Sequence, residues 1–387
     1  MALLTRKRLI LAKIETTYGT DSSPGSADAI LVRDLNITPL QSDVVSRDLV
    51  RPYLGASEQL LANTRVQCTF SVEMAGSGTA GTAPRYANVL QACGLAETAV
   101  TPAVTGTATA GGSNTITLAA GASSTNDFYK GQILRITGGT GSGSVGLITG
   151  YVGSTKVATV RYVSGTVSAD NTSAYSIGLQ TVYTPVSASF ASSTIYYNID
   201  GVLHKLTGCR GTFSLNTTVG QIPTIDFTMT GIYNAPTDTA APSVTYANQA
   251  TPVIFKAGNS GAFSLLSYSG CLQSVTMDIG NTIVYRELVG CTKQVLLTNR
   301  ATTGTAVIEA PTIAQKDYFT AALTDGTLGD LSFVHGTTAG NIVCLSSTQV
   351  DIGDPTYQDQ DGIHMMSLPY TAIPSTAGND EFRLVFA

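Results

Sequence analysis

Tryptophan is absent from this sequence, histidine occurs three times, and charged residues make up only 12% of it. Each shortage excludes something. His204, His335 and His364 are isolated, with no HExxH motif and no nucleophile elbow, so a metal-dependent or serine hydrolase has no local signature. Aromatic residues are 7% of the chain, scarce material for an aromatic-lined glycan site. A net charge of −5 supplies no basic footprint for gripping nucleic acid. The cysteines at 68, 93, 209, 271, 291 and 344 form no CxxC pair and no ligand spacing. They are expected to be free, buried thiols acting as small hydrophobes. No apolar run is long enough to span a bilayer. The short run Leu9–Ala12 meets Lys13 and Glu15 at once, too early for a secretory signal, so synthesis in a reducing cytoplasm is expected.

What the chain has is small residues, β-formers and turns. Hydrophobic residues are 43% and glycines number 39, in a length with room for two or three domains. So few charges on so long a chain imply large cores or extensive burial against partners. The clearest pattern runs from Tyr196 to Tyr233. Phe213 and Leu215, then Ile225, Phe227 and Met229, alternate with threonine, serine, asparagine and Asp226. Period two predicts a sheet with one face on a core. Cys68, Phe70, Val72 and Met74 alternate in the same way, with Glu73 on the polar phase. A short helix is predicted over Pro84–Cys93, where Tyr86, Val89, Leu90 and Cys93 share a face and Gly94 stops the run. Residues 38–63 lack periodicity and are expected to be a long interaction loop carrying Arg47, Asp48 and Arg51. Residues 98–178 change in composition to Thr, Ser, Gly and Ala with short β runs, as an inserted β domain would.

After a polar linker the order of elements recurs. Val275-Thr276-Met277-Asp278-Ile279 alternates, and Arg286-Glu287-Leu288-Val289 echoes Arg47-Asp48-Leu49-Val50. Val307-Ile308-Glu309-Ala310 echoes Ser71-Val72-Glu73-Met74, a helix predicted over Thr312–Leu323 echoes the first helix, and Gly340–Leu345 echoes Gly201–Leu206. This points to an internal duplication with the insert only in the first copy. The expected fold is all-β with short helices: two tandem β-sandwich or barrel domains plus a small inserted β domain. The expected division is an arm at 1–28, a first domain at 29–103 and 179–235, the insert at 104–178, a linker at 236–253 and a second domain at 254–387.

Two motifs carry no chemistry. Gly141-Ser142-Gly143-Ser144-Val145-Gly146 matches a dinucleotide fingerprint, but β-like sequence follows where a helix start is needed, so it is expected to be a hairpin loop. Asp359-Gln360-Asp361-Gly362 imitates a calcium loop, yet Tyr357 and Leu368 would occupy the first and last ligand positions. No metal or cofactor is expected. Glu73, Asp226 and Asp278 each sit on the polar phase of a strand, which fits either a solvated outer face or a wall facing a lumen.

Three stretches together carry a resemblance. The first is Asp200-Gly201, Leu203-His204-Lys205-Leu206, Gly208-Cys209-Arg210-Gly211, Phe213 and Leu215, followed by Pro223, Ile225, Phe227, Met229 and Gly231. The second runs from Val72 through Pro84 to Gly94, and the third is the ending DQDGIHMMSLPY after Gln358. Taken together, in their order along the chain, they resemble the tail tube proteins of long-tailed, non-contractile bacteriophages, and they span most of the chain outside the insert. The resemblance implies a structural virion protein, made in the host bacterial cytoplasm, whose stacked rings form the tail tube and pass DNA without specific binding. It implies a tape measure protein and tail terminator or distal tail proteins as partners, no membrane, and Glu73, Asp226 and Asp278 as lumen-facing candidates. Long loops contact the next ring in that family, which makes Arg47, Asp48, Arg51, Arg286 and Glu287 inter-ring candidates. Duplication changes the count: three chains would close a pseudo-sixfold ring, six if the second half is only an extended arm. The rival reading from composition is a β-rich surface adhesin or glycan-binding protein.

Overall fold

The computed structural model describes residues 3–47 and 49–387, and it is almost entirely β. The chain opens with β1 (Arg8–Ile14), β2 (Ala29–Ile30), β3 (Arg33–Ser46) and β4 (Gln59–Glu73), then α1 (Ala87–Ala92) and β5 (Leu95–Val100). Next come β6 (Val104–Thr107), β7 (Ala110–Gly112), β8 (Thr115–Thr117), β9 (Ile133–Gly138), β10 (Val145–Val152), β11 (Val157–Tyr162) and β12 (Ala174–Ile177). The first half resumes with β13 (Gln180–Pro185), β14 (Ser193–Ile199), β15 (Val202–Thr218), β16 (Thr224–Tyr233) and β17 (Thr237–Asp238). The second half holds β18 (Ser260–Leu265), β19 (Leu272–Asp278), β20 (Asn281–Arg286), β21 (Gln294–Arg300) and β22 (Thr303–Glu309). It ends with α2 (Tyr318–Leu323), β23 (Gly329–His335), β24 (Val343–Ile352), β25 (Thr356–Gln360), β26 (Ile363–Ala372) and β27 (Arg383–Phe386).

The alternating stretches form the frame. In the first half the antiparallel order is β1–β14–β15–β16–β4–β3. Register brings Phe70 opposite Phe227 and Phe227 opposite Phe213, with ring centroids 5.4 and 5.8 Å apart. Val89 and Leu90 of α1 are buried in the same core. Burying one such side chain fully contributes about 1.5–3 kcal/mol, so this inner face dominates the stability of the half. Gly94 ends the helix at a φ of +82°, a conformation that costs glycine nothing.

The second half repeats this pairing as β18–β23–β24–β26–β22–β19, with α2 between β22 and β23 as α1 lies after β4. β24 and β25 together take the place of the longer β15, since both pair with β26. The halves are joined twice. β15 pairs directly with β19, Ser214 opposite Asp278 through Thr218 opposite Ser274. On the other layer β5 pairs with β13, β13 with β27 and β27 with β24.

Strands β6–β12 form a separate seven-stranded sheet over its own core of Ile116, Leu134, Ile148, Val160, Tyr175 and others. Gly141–Ser144 is the loop between β9 and β10, as expected for that glycine run. The sheet also packs on the second half. Ile133, Val145, Leu147 and Val163 meet Ala262, Val334, Cys344 and Val385, and Arg161 pairs with Asp330 at 3.2 Å.

Four expectations need correction. Residues 38–63 are not a loop for most of their length: β3 runs to Ser46 and β4 starts at Gln59. In the segment read as an N-terminal arm, β1 pairs with β14 of its own chain and buries Ile10 and Ala12. Four cysteines are buried, but Cys271 and Cys291 are exposed, because one lies in the connection before β19 and the other in a hairpin turn. The helices are also shorter than the sequence pattern, since Pro84 and Thr312 begin turns that precede them.

Candidate assembly surface

The joint between β15 and β19 makes one continuous run of seven strands in the order β3–β4–β16–β15–β19–β22–β26, with β24 and β25 both paired to β26 at the far side. Residues directly opposite one another share a face. One row therefore reads Arg33, Ser71, Asp226, Ser214, Asp278, Thr303, Thr371 and Asp351, entirely polar from β3 across to β24. The row two residues along includes Glu73, Thr224, Asn216, Thr276 and Thr305. The intervening row, Val72, Ile225, Leu215 and Met277, faces the core. The three carboxylates picked from the sequence thus stand on one polar face. Asp226 accepts hydrogen bonds from Ser71 Oγ and, at 2.6 Å, from Asn216 Nδ2. Asp278 accepts from the Gly280 backbone at 2.8 Å, and Glu73 lies 4.0 Å from Arg33.

The inter-ring candidates fall on two hairpin tips. Arg47 and Arg51 belong to the turn between β3 and β4, where Arg47 pairs with Glu58 at 3.1 Å and Arg51 stands 6.0 Å from the Tyr53 ring. Asp48 lies outside the described residues. Arg286 and Glu287 border the turn between β20 and β21, where Glu287 pairs with Lys293 at 2.9 Å. Both tips are solvent-exposed and carry bare aliphatic residues, Val50 and Leu54 on one and Val289 on the other.

The sheet thus carries one polar and one buried face and extends through both halves of one chain. Comparison with known families matches residues 5–372 to the family described as phage tail tube protein. The chain belongs to that family. A search of curated proteins finds no match. The tail tube protein is accordingly a structural component of the virion tail that assembles with itself into a tube.

The remaining chemical groups of the tail tube protein are dispersed. His335 is buried, its Nδ1 sharing a 2.7 Å hydrogen bond with Ser260 Oγ, and burial pushes its pKa down to about 4. Burial also lowers the pKa of His204 on β15, while His364 on β26 stands beside the Tyr357 ring at 5.7 Å. Burial pushes the Cys68 and Cys344 thiols up to about 12, which keeps them protonated and inert. Among the described residues, no group of three or more His, Cys, Asp or Glu side chains is placed to hold a metal. Sequence reasoning missed two parts of the surface: the body of the β3–β4 hairpin and the open edge of β25, whose five residues are all exposed. A signal for the first exists, because Leu60-Leu61-Ala62-Asn63 matches Leu296-Leu297-Thr298-Asn299 of β21.

Proposed function

We propose that this protein forms rings of three chains, that the rings stack into the tail tube, and that the tube conducts DNA into the host. One observation carries the reading: the β15–β19 joint, which fuses two similarly ordered halves into a continuous sheet within a single chain. Each half then acts as one tube unit, and a channel wide enough for duplex DNA needs roughly six such units to close. Three chains supply them, with true threefold and approximate sixfold symmetry. Apart from the N-terminal arm, the domain division expected from sequence belongs to this reading, with residues 104–178 as an outer decoration.

The polar face carrying Glu73, Asp226 and Asp278 lines the lumen in this arrangement. A mildly negative, hydroxyl-rich wall repels phosphates slightly, and the cation named on it, Arg33, lies 4.0 Å from the Glu73 carboxylate. The hairpin tips with Arg47, Arg51, Arg286 and Glu287 reach the adjoining ring. A tape measure protein inside the tube and terminator and distal tail proteins at its ends are the partners. The reading includes no reaction and no cofactor.

A reconstruction of one ring from electron micrographs, made without imposed symmetry, tests it. The expected result is a ring with three outer protrusions, one per inserted sheet. Six equivalent protrusions overturn the three-chain count, and purified protein that never forms rings overturns the whole reading.

A further inference from the structure

Within each chain one joint is already made, and both of its components recur unmade at opposite ends of the molecule. In the made joint, the β20–β21 hairpin lies against the first half. Leu297 is 9% exposed, with its Cδ1 against Gly94. Asn281 Nδ2 donates to the carbonyls of Cys93 at 2.7 Å and Gly211 at 2.9 Å, and Arg210 Nη1 donates to the Val295 carbonyl at 2.9 Å. β19 completes the joint by pairing with the end of β15.

The counterpart of the β20–β21 hairpin is the outer part of β3–β4. There Leu61, which matches Leu297 in the Leu-Leu-x-Asn repeat, is 54% exposed, and Val44 and Val45 are exposed beside it. The counterpart of the covered surface is the neighbourhood of α2 and β25. It is bare too: Leu323 is 85% exposed, and Ile313 and Tyr357 are exposed with it. One end of the chain therefore carries an apolar hairpin with nothing to cover, and the other end carries an apolar surface with nothing over it.

We infer that the β3–β4 hairpin of one copy docks on α2 and β25 of the next copy, repeating the internal joint between chains. This rests on the ring reading and supplies its contact. The strand register follows from the pairing. Met366 faces Ile308 as Ile225 faces Val72, and Tyr357 faces Met366 as Leu215 faces Ile225. Tyr357 thus stands where Leu215 does. Leu215 faces Met277, and Met277 faces Gly304, four residues before Ile308. The residue four before Val72 is Cys68, which Ile37 faces. So Tyr357 of one copy lies opposite Ile37 of the next, and Thr356 lies opposite Thr38, as Ser214 lies opposite Asp278 inside the chain. The contact is head to tail, so it continues from copy to copy instead of stopping at a symmetric dimer, and it closes into a ring in the three-chain reading. It also covers the open edge of β25.

Paired cysteines test the register. Thr38 and Thr356 are both exposed and face the polar side, away from the buried thiols. In a background with Cys271→Ser and Cys291→Ser, assembled tubes of the Thr38→Cys/Thr356→Cys variant should oxidise to covalent dimers and trimers. Either single variant should stay monomeric on a denaturing gel. Tubes that form but do not cross-link, or that cross-link equally well with Thr38→Cys/Gln360→Cys, overturn the register and leave the ring reading standing. Leu61→Asp and Leu323→Asp test the docking. Both positions are exposed in the single chain, so each variant should remain folded by circular dichroism while ring formation drops at least tenfold. Normal tubes from either variant overturn the docking.

Discussion

At the scale of single residues, His335 shows how burial sets a pH limit. It is 1% exposed, and its pKa falls from 6.5 to about 4 because the charged ring has lost its water. The folded state therefore refuses a proton that the unfolded state accepts below about pH 6.5. Stability from this site is complete above that pH and is lost progressively as pH falls toward 4. The shift corresponds to about 3 kcal/mol. Urea unfolding of wild type and His335→Asn at pH 8, 6.5 and 5 should show a decline in wild type that the variant lacks; parallel declines refute the assignment. Residue-scale patterns were well marked in the sequence where one face of a strand is buried. Cys68, Phe70 and Val72, or Ile225, Phe227 and Met229, had to alternate because a water-facing and a core-facing side coexist on each strand. His335 gave no such sign, since its burial depends on Phe255, whose ring lies 5.6 Å away from a distant part of the chain.

At the scale of elements, the two hairpins explain both a success and a failure. β15 and β16 were legible because their inner faces meet the core of the same chain. The outer parts of β3 and β4 were not, because neither of their faces is covered within one chain, and Leu40, Val44, Val45, Leu60 and Leu61 follow no two-residue period. In the docking proposed above, these strands carry the pattern of a joint made only between copies. The tips of the hairpins extend beyond that joint: Val289, at the tip of the docked internal hairpin, is fully exposed. Contact with the adjoining ring is the role we propose for such tips. Arg47→Glu with Arg51→Glu should therefore give rings that form normally but do not stack. Sedimentation should show the ring species without long tubes, and tubes of ordinary length would remove the tips from the ring-to-ring contact.

At the scale of the whole molecule, the recurring order of elements was readable because strands, helix and hairpin follow one another in both halves. The joint between the halves was not, because pairing between Ser214 and Asp278 leaves no mark that either local segment carries alone. That joint decides the character of the polar face. It places Asp226 and Asp278 in a single row across the sheet, with Glu73 in the next polar row along, so charges from both halves face the same space. If that space is the lumen, its charge should govern DNA passage without affecting assembly. Glu73 and Asp278 suit the test, since neither is buried and replacing them leaves the Asp226 hydrogen bonds intact. Phage carrying Glu73→Lys and Asp278→Lys should build tubes of normal length and diameter. Each ring would then present cations to the phosphate backbone, and binding of that kind weakens steeply as salt rises. Ejection in low salt should slow severalfold and recover toward the wild-type rate as ionic strength increases. Ejection that is unchanged at every salt concentration would place this face outside the channel.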